Sequence, residues 1–359
     1  MKEAKGKTDL LHLTELEMRA FTERLGFPAF RGSQLFQWIY RGEKDFSLMQ
    51  NLPLALRQAL GEKAVIGTLT MHRRLVSSKD GSRKYLFRLE DGNTIESVFM
   101  SYSFGNSVCL SSQAGCAMSC AFCASTRKGL ARSLQSGEIM DQLMKIREEI
   151  GEAVQRIVIM GMGEPFENYE NLSRFLRVVH EPRGLHMGMR NITVSTCGLV
   201  PQIRRFAEDF PQTNLAVSLH APTDALRDRL MPINRRYPLK DLIPACRAYT
   251  EKTHRRISFE YLLIEGINDG KAEAEALCSL LKGMLCHINL IAMNPLTASP
   301  FRPTPRAKVE DFCRRLHPFF PVTIRRSLGT DIDAACGQLR LRQMLEGEDQ
   351  CPADQICDS

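Results

Sequence analysis

Val108-Cys109-Leu110-Ser111-Ser112-Gln113-Ala114-Gly115-Cys116-Ala117-Met118-Ser119-Cys120-Ala121-Phe122-Cys123 opens the larger part of the chain. A short apolar run gives way to a loop in which Cys116, Cys120 and Cys123 follow a Cys-x3-Cys-x2-Cys pattern. Iron–sulfur clusters are ligated by thiolates, and closely spaced cysteines on one loop can wrap several corners of a cuboidal cluster. A structural zinc site would be closed by four ligands; no fourth Cys or His lies within this loop, so one metal position stays open. A zinc site completed by a distant Cys or His, or simple buried thiols, are the competing readings.

Downstream of Ser107 short apolar strands alternate with amphipathic helices, the pattern of a parallel α/β sheet. Strands are expected near Val108–Ser112, Arg156–Met160, Asn191–Ser195, Leu215–Leu219, Ile257–Leu263 and Ile288–Ala292, with an extra one at Val322–Arg325. Thr304-Pro305 starts a helix carrying Val309, Phe312 and Leu316. Six β/α units suit an incomplete TIM-like barrel better than a closed eight-unit one. Upstream, from Leu69 to Met100, Tyr85, Phe87 and Leu89 alternate and Asp80-Gly81 and Asp91-Gly92 signal turns, which reads as a strand meander. Further upstream, Thr14-x-x-Glu17 is a capping box before Met18, Phe21 and Leu25, with Gly26 as a stop. Leu35, Trp38 and Ile39, and then Leu52, Leu56 and Leu60 after Pro53, repeat the helical spacing. The expected organisation is a helical accessory domain over 1–64, a β extension over 65–101, the barrel with its C-terminal segment over 102–341, and a disordered tail over 342–359, rich in Glu, Asp, Gln and Pro.

With 359 residues, 43% hydrophobic and 25% charged, the chain can bury a substantial core. Met1-Lys2-Glu3-Ala4-Lys5 is charged where a signal peptide is apolar, and no apolar stretch reaches membrane-spanning length, so a cytoplasmic, non-membrane protein is expected. Twelve cysteines there imply free thiols for metals or catalysis rather than a disulfide framework. A net charge of +7 favours a polyanionic partner only weakly. Arg73-Arg74, Arg83-Lys84, Arg235-Arg236, Arg255-Arg256 and Arg325-Arg326 are candidate phosphate contacts, although none forms an RNA-binding motif.

The cysteine loop, with Phe122 before its last cysteine, resembles the radical S-adenosylmethionine (SAM) superfamily signature, and Gly161-Met162-Gly163-Glu164-Pro165 resembles that superfamily's element contacting the SAM amino group. The resemblance implies a radical-SAM barrel in which Cys116, Cys120 and Cys123 hold a 4Fe–4S cluster whose open iron chelates SAM. Reductive cleavage of SAM then yields a 5′-deoxyadenosyl radical, chemistry that belongs to the cofactor while the protein positions it. Phe30-Arg31, Gln37-Trp38-Ile39, Lys79 to Tyr85, Val108 to Gln113, Met231-Pro232-Ile233-Asn234 and Asp331 to Leu339 together resemble the RlmN/Cfr family of RNA adenine methyltransferases. That likeness runs from about Leu16 to Leu339.

The family resemblance implies a methyl relay. Cys336 takes a methyl from one SAM, and the radical from a second SAM removes a hydrogen from that S-methyl group. The carbon adds to adenine, Glu96 accepts the ring proton, and Cys109 attacks the Cys336 sulfur to form a transient disulfide. By the same carry-over Gly163, Glu164, Ser195, Ser218, Leu219, His220 and Asn294 line the SAM site. The implied partners are 23S rRNA, tRNA and a flavodoxin- or ferredoxin-type electron donor. Phe36-Gln37-Trp38-Ile39 and Pro165 are similar to the branch that methylates adenosine C2; Cfr-type C8 methylation is the alternative. A radical-SAM enzyme acting on another substrate and a non-catalytic, zinc-stabilised nucleic-acid-binding protein remain open on residue patterns alone. Without the resemblance, Glu96 would read as a solvated strand residue and Cys109 and Cys336 as small core thiols.

Overall fold

A computed structural model describes residues 6–293, 300–325, 328–329 and 331–332. The chain begins with β1 (Thr8–Asp9) and a 3-10 turn, then three helices, α1 (Glu15–Arg24), α2 (Phe30–Arg41) and α3 (Leu54–Lys63), and β2 (Ala64–Val65), which pairs with β1. Thr14 caps α1 with the reciprocal Glu17 bonds that the sequence anticipates. Met18, Phe21, Leu35, Phe36, Ile39, Leu56 and Leu60 form the buried side of this unit. It docks on the rest of the molecule through the backbone N–H of Gly137, which donates to His12 Nδ1 at 3.0 Å, and through Arg174, which binds the carbonyl of His12.

Three antiparallel strands follow, β3 (Thr70–Val76), β4 (Arg83–Arg88) and β5 (Thr94–Tyr102), and β5 turns tightly into β6 (Gly105–Cys109). Next come the short hairpin β7 (Gln113–Gly115) and β8 (Leu130–Ser133), then α4 (Ser136–Ile150), β9 (Arg156–Ile159), α5 (Tyr169–His180), β10 (Ile192–Thr196), α6 (Val200–Asp209) and β11 (Asn214–Ser218). The chain continues through α7 (Asp224–Leu230), α8 (Leu239–Thr253), β12 (Ile257–Leu263), α9 (Lys271–Leu281), β13 (Cys286–Ala292), α10 (Arg306–Leu316) and β14 (Val322–Arg325).

One continuous sheet runs β14-β13-β12-β11-β10-β9-β6-β5-β4-β3. From β6 to β14 every pairing is parallel, and among the described residues the two ends of the sheet do not pair with each other: an incomplete barrel with helices outside. The meander is not a separate layer. Its three strands extend the barrel sheet through β6, so that one row of directly opposed residues crosses Lys84, Val98, Cys109 and Val158. Strand β6 starts three residues before the expected Val108 and ends at Cys109, because the hairpin with β5 recruits Gly105 to Ser107. Ser111 and Ser112 leave the ladder: their N–H groups go to Gln142 Oε1 and to the carbonyl of Met162, both at 2.9 Å. Ile157, Val194, Val217, Phe259 and Ile288, wholly buried, continue the core along the parallel strands. Among the described residues no helix is long and apolar enough to cross a membrane.

Candidate active site

Chain leaving β6 passes into the β7–β8 hairpin, and the cysteine loop is the excursion between those two strands. Gly115 is required at its base: φ is +90°, and a Cβ there would sit 2.1 Å from the Gly129 carbonyl oxygen. Backbone bonds pin the loop, with Cys116 N donating to Gly129 O at 3.1 Å and Ala121 N to Leu230 O at 2.9 Å. Thr126 Oγ1 donates to the carbonyls of Cys120 and Cys123. All three cysteines border one cleft of about 380 Å³ that lies over the C-terminal ends of the parallel strands.

The donor set fits a cuboidal cluster. Three thiols from one loop line the cleft, and the neighbouring thiols add to the raised pKa of Cys116 and of Cys120. Burial, the larger cause, pushes Cys116 up to about 12 and Cys120 higher still. Thiolates sharing one tetrahedral ion with Zn–S bonds near 2.3 Å would lie about 3.8 Å apart. Among the described residues no three His, Cys, Asp or Glu side chains stand close enough to share one ion. A cluster takes each thiolate on a different iron, so it suits three thiols set around a common space.

At the strand ends, Gly163 has φ +103° and packs so tightly on Gln113 that a Cβ would meet the Gln113 Cβ at 2.5 Å. Glu164 is buried, and its carboxylate braces backbone: Oε2 accepts from Cys197 N at 2.7 Å and Oε1 from Phe166 N at 3.0 Å. Burial raises its pKa while those N–H groups oppose the rise. Gln113 Oε1 in turn accepts from Glu164 N at 2.8 Å, a link between cysteine loop and strand end that the sequence reading missed. Ser195 and Ser218 line the cleft. Leu219 does not; its side chain belongs to the hydrophobic core, and its N–H and carbonyl serve Glu260 and Arg227.

His220 is buried, with φ +56°. Its Nδ1 accepts from Leu262 N at 2.9 Å, which fixes the neutral tautomer that carries the proton on Nε2, and its ring meets Phe122 edge-on at 4.9 Å. Burial, helped by the Arg227 charge, lowers its pKa to about 3. Asn268 holds this corner, its Nδ2 donating to the carbonyls of His220 and Leu262. Wholly buried Arg227 ties strand ends together: its guanidinium donates to Leu219 O, Cys197 O, Ser218 O and Asn234 Oδ1. Glu260, also on the cleft, accepts from Asn289 and lies 4.0 Å from Arg325.

Across the cleft stand residues of the meander. Cys109 is buried with Val98 and Met100, and Leu328 packs against them. Glu96 projects from the same face of β5 as Val98, and its carboxylate lies 3.0 Å from the ammonium of Lys84. Lys84 was a candidate phosphate contact on sequence; with no exposed side chain it faces inward instead. Arg74 and Arg83 are likewise engaged with Glu149, whereas Arg235, Arg236 and Arg256 are exposed. The approach to Cys336 is anchored here too: Gly329 N donates to Asp80 Oδ2 at 2.8 Å, and the Asp331 carboxylate accepts from Ser77 Oγ and Ser78 N. Cys336 and Asn294 themselves lie outside the described residues. Of the cysteines given no role on sequence, Cys197 borders the cleft and Cys246 and Cys286 are core thiols.

An open parallel barrel whose first strand runs into a three-cysteine loop over a cleft at the strand ends defines a radical SAM enzyme. Residues 110–278 match the Radical SAM superfamily model, and residues 8–66 match the ribosomal RNA large subunit methyltransferase N-terminal domain. A "Probable dual-specificity RNA methyltransferase RlmN" of Clostridioides difficile (strain 630) is 46% identical over 337 residues, covering 94% of this chain and 98% of that protein. The protein of the same name from Desulforamulus reducens (strain MI-1) is 49% identical over 338 residues, covering 94% and 97%. The crystal structure of a radical SAM methyltransferase from Sphaerobacter thermophilus superposes with a TM-score of 0.88 at 46% identity, over 92% of this chain and 98% of that one. The chain belongs to the RlmN family of radical SAM RNA methyltransferases. It is therefore an enzyme whose family implies a 4Fe–4S cluster, SAM and an RNA substrate.

Proposed function

We propose that this enzyme methylates C2 of adenosine in 23S rRNA, at the peptidyl-transferase centre, and in tRNA, at the adenosine following the anticodon. The observation that carries the reading is the shared cleft: Cys109 and the three cysteines of the loop line the same space. Cys116, Cys120 and Cys123 would hold the cluster, and Gly163, Glu164, Ser195, Ser218 and His220 would seat SAM. With its carboxylate spent on backbone N–H groups, Glu164 would serve SAM by shaping the loop, and His220 would offer Nε2–H as a donor. When bound, cluster and SAM supply a carbon-centred radical; all other steps fall to side chains of the chain.

Cys336 would first accept a methyl group by polar displacement and later give up one hydrogen from it, so that two molecules of SAM are consumed per turnover. Cys336 lies four positions after Ile332, a reach of up to about 14 Å from a segment already anchored beside Leu328. Once the methylene carbon is joined to the ring, the adduct would have to give up one electron, for which the cluster would be the acceptor, and Glu96 accepts the C2 proton. The Cys109 thiolate then attacks the Cys336 sulfur, the carbon–sulfur bond breaks, the methylene carbon takes up a proton to become the methyl group, and the two sulfurs are left as a disulfide. Reduction of the disulfide by an external thiol resets the pair, and a flavodoxin- or ferredoxin-type protein would supply electrons to the cluster. The N-terminal helical unit, which exposes Phe30 under the Arg31 guanidinium, and exposed Arg235 and Arg236 beside the cleft-lining Met231 are our candidates for RNA contact.

The test is nucleoside analysis of rRNA and tRNA incubated with anaerobically reconstituted enzyme, SAM and reductant. 2-Methyladenosine is expected in both; 8-methyladenosine in its place would assign the Cfr-type reaction, and unmodified RNA would overturn the proposal.

A further inference from the structure

The geometry points to Lys84 as the residue that holds the Glu96 carboxylate aimed for proton removal. This rests on the reading of Glu96 as the proton acceptor and goes a step beyond it. Lys84 and Glu96 occupy neighbouring strands, but not opposed positions: Lys84 lies opposite Val98, and Glu96 lies opposite Leu86. The ammonium therefore reaches diagonally by one residue pair to come within 3.0 Å of the carboxylate. Both side chains project from the face that carries Val98 and Cys109, since directly opposed residues share a face. Tyr85 and Ser97 occupy the other face, bonded to Glu149 and Gln142 of α4.

The pair is fully desolvated, Lys84 at 0% and Glu96 at 3% side-chain exposure. An apolar side chain would fill the Lys84 slot between Leu75 and Val98 at lower cost than a buried ammonium. What the ammonium adds is chemical. A cation in contact gives the buried carboxylate a fixed partner at 3.0 Å. It also limits the carboxylate's rotation, and a base must be aimed before its affinity for the proton matters. Lys84 is thus a positioning residue, acting through Glu96 without touching substrate.

The experiment uses full-length, cluster-loaded enzyme and RNA under anaerobic conditions, comparing wild type with Lys84→Met, Lys84→Arg and Glu96→Gln. Three quantities are read: methylation of Cys336 by intact mass, 5′-deoxyadenosine per minute, and methylated adenosine per minute, with the RNA–protein adduct followed on denaturing gels. Lys84→Met is expected to keep Cys336 methylation and the 5′-deoxyadenosine formed in the first turnover near wild type, while the product rate, and with it multiple-turnover 5′-deoxyadenosine, falls by about tenfold or more, approaching the 10²–10⁴-fold attached to a general base, and adduct accumulates. Lys84→Arg, which restores the charge, recovers part of the product rate; a disturbance of packing alone would not be rescued by the larger side chain. Should Lys84→Met fail to fold, Lys84→Gln takes its place with the same expectation. A neutral variant that makes product within twofold of wild type without adduct, while Glu96→Gln stalls, overturns the inference and leaves Glu96 as base. Normal turnover by Glu96→Gln overturns the base assignment itself.

Discussion

The two walls of the cleft are built on different plans. On the cofactor wall, cysteines lie within eight consecutive residues, and polar side chains there mostly satisfy backbone: Glu164, Asn268 and Arg227 each bind N–H or carbonyl groups from separate strand ends. On the meander side, the buried Lys84 and Glu96 and the cleft-lining Cys109 come from three successive strands, and Asp80 and Ser77 anchor a segment some 250 residues away in sequence, at separations of 249 and 254. The first wall is a rigid seat whose parts a local motif specifies. The second is an assembly of side chains whose partners only the fold brings together, and it carries the groups that we propose to react.

Predictions that probe this contrast run from complete loss to slight change. Cys120→Ser should remove one cluster ligand and abolish the brown chromophore, 5′-deoxyadenosine formation and RNA methylation together; retention of any one activity would detach it from the cofactor wall. Arg227→Met should cost several kcal/mol, at about 1–3 kcal/mol for each buried acceptor left without its donor, and denaturant unfolding would register it even in cluster-free protein. Thr14→Ala, on the distant helical unit, should cost only about 1 kcal/mol through the lost helix cap and leave 5′-deoxyadenosine formation untouched.

His220 gives the comparison a pH signature. Its folded pKa near 3 lies below the ordinary value of 6.5, so the unfolded chain takes up the proton first as pH falls. The stability that neutral His220 contributes is complete above about 6.5 and is lost as pH drops from there towards 3. The slope of thermal stability with pH across that window should diminish in His220→Asn; an unchanged slope would place the acid sensitivity elsewhere.

Sequence and structure agree most closely where information is local. The Thr14–Glu17 cap and the strands at Ile257–Leu263 and Val322–Arg325 stand where side-chain pattern puts them. The β7–β8 hairpin framing the cysteine loop went unseen, since Gln113–Gly115 and Leu130–Ser133 are too short and too polar to show a period. Lys84 within Arg83-Lys84-Tyr85 looks solvated; that it is buried depends on Glu96, twelve residues on, and on β3 and β5 flanking it. Arg227 and Glu260 escaped for the same reason: a charged residue in a helix or strand reads as surface until its buried partners are known. Leu219, flanked by cleft residues on both sides, turns into the core because successive residues at a strand end face opposite ways.

The central claim is that the two walls serve one reaction, the cofactor wall starting it and the meander wall finishing it. Cys109→Ala tests this most directly: digestion of the reacted protein followed by mass mapping should find adenosine joined through one carbon to Cys336, with cluster and Cys336 methylation intact. Free methyladenosine released at the wild-type rate, with no such adduct, would contradict the account.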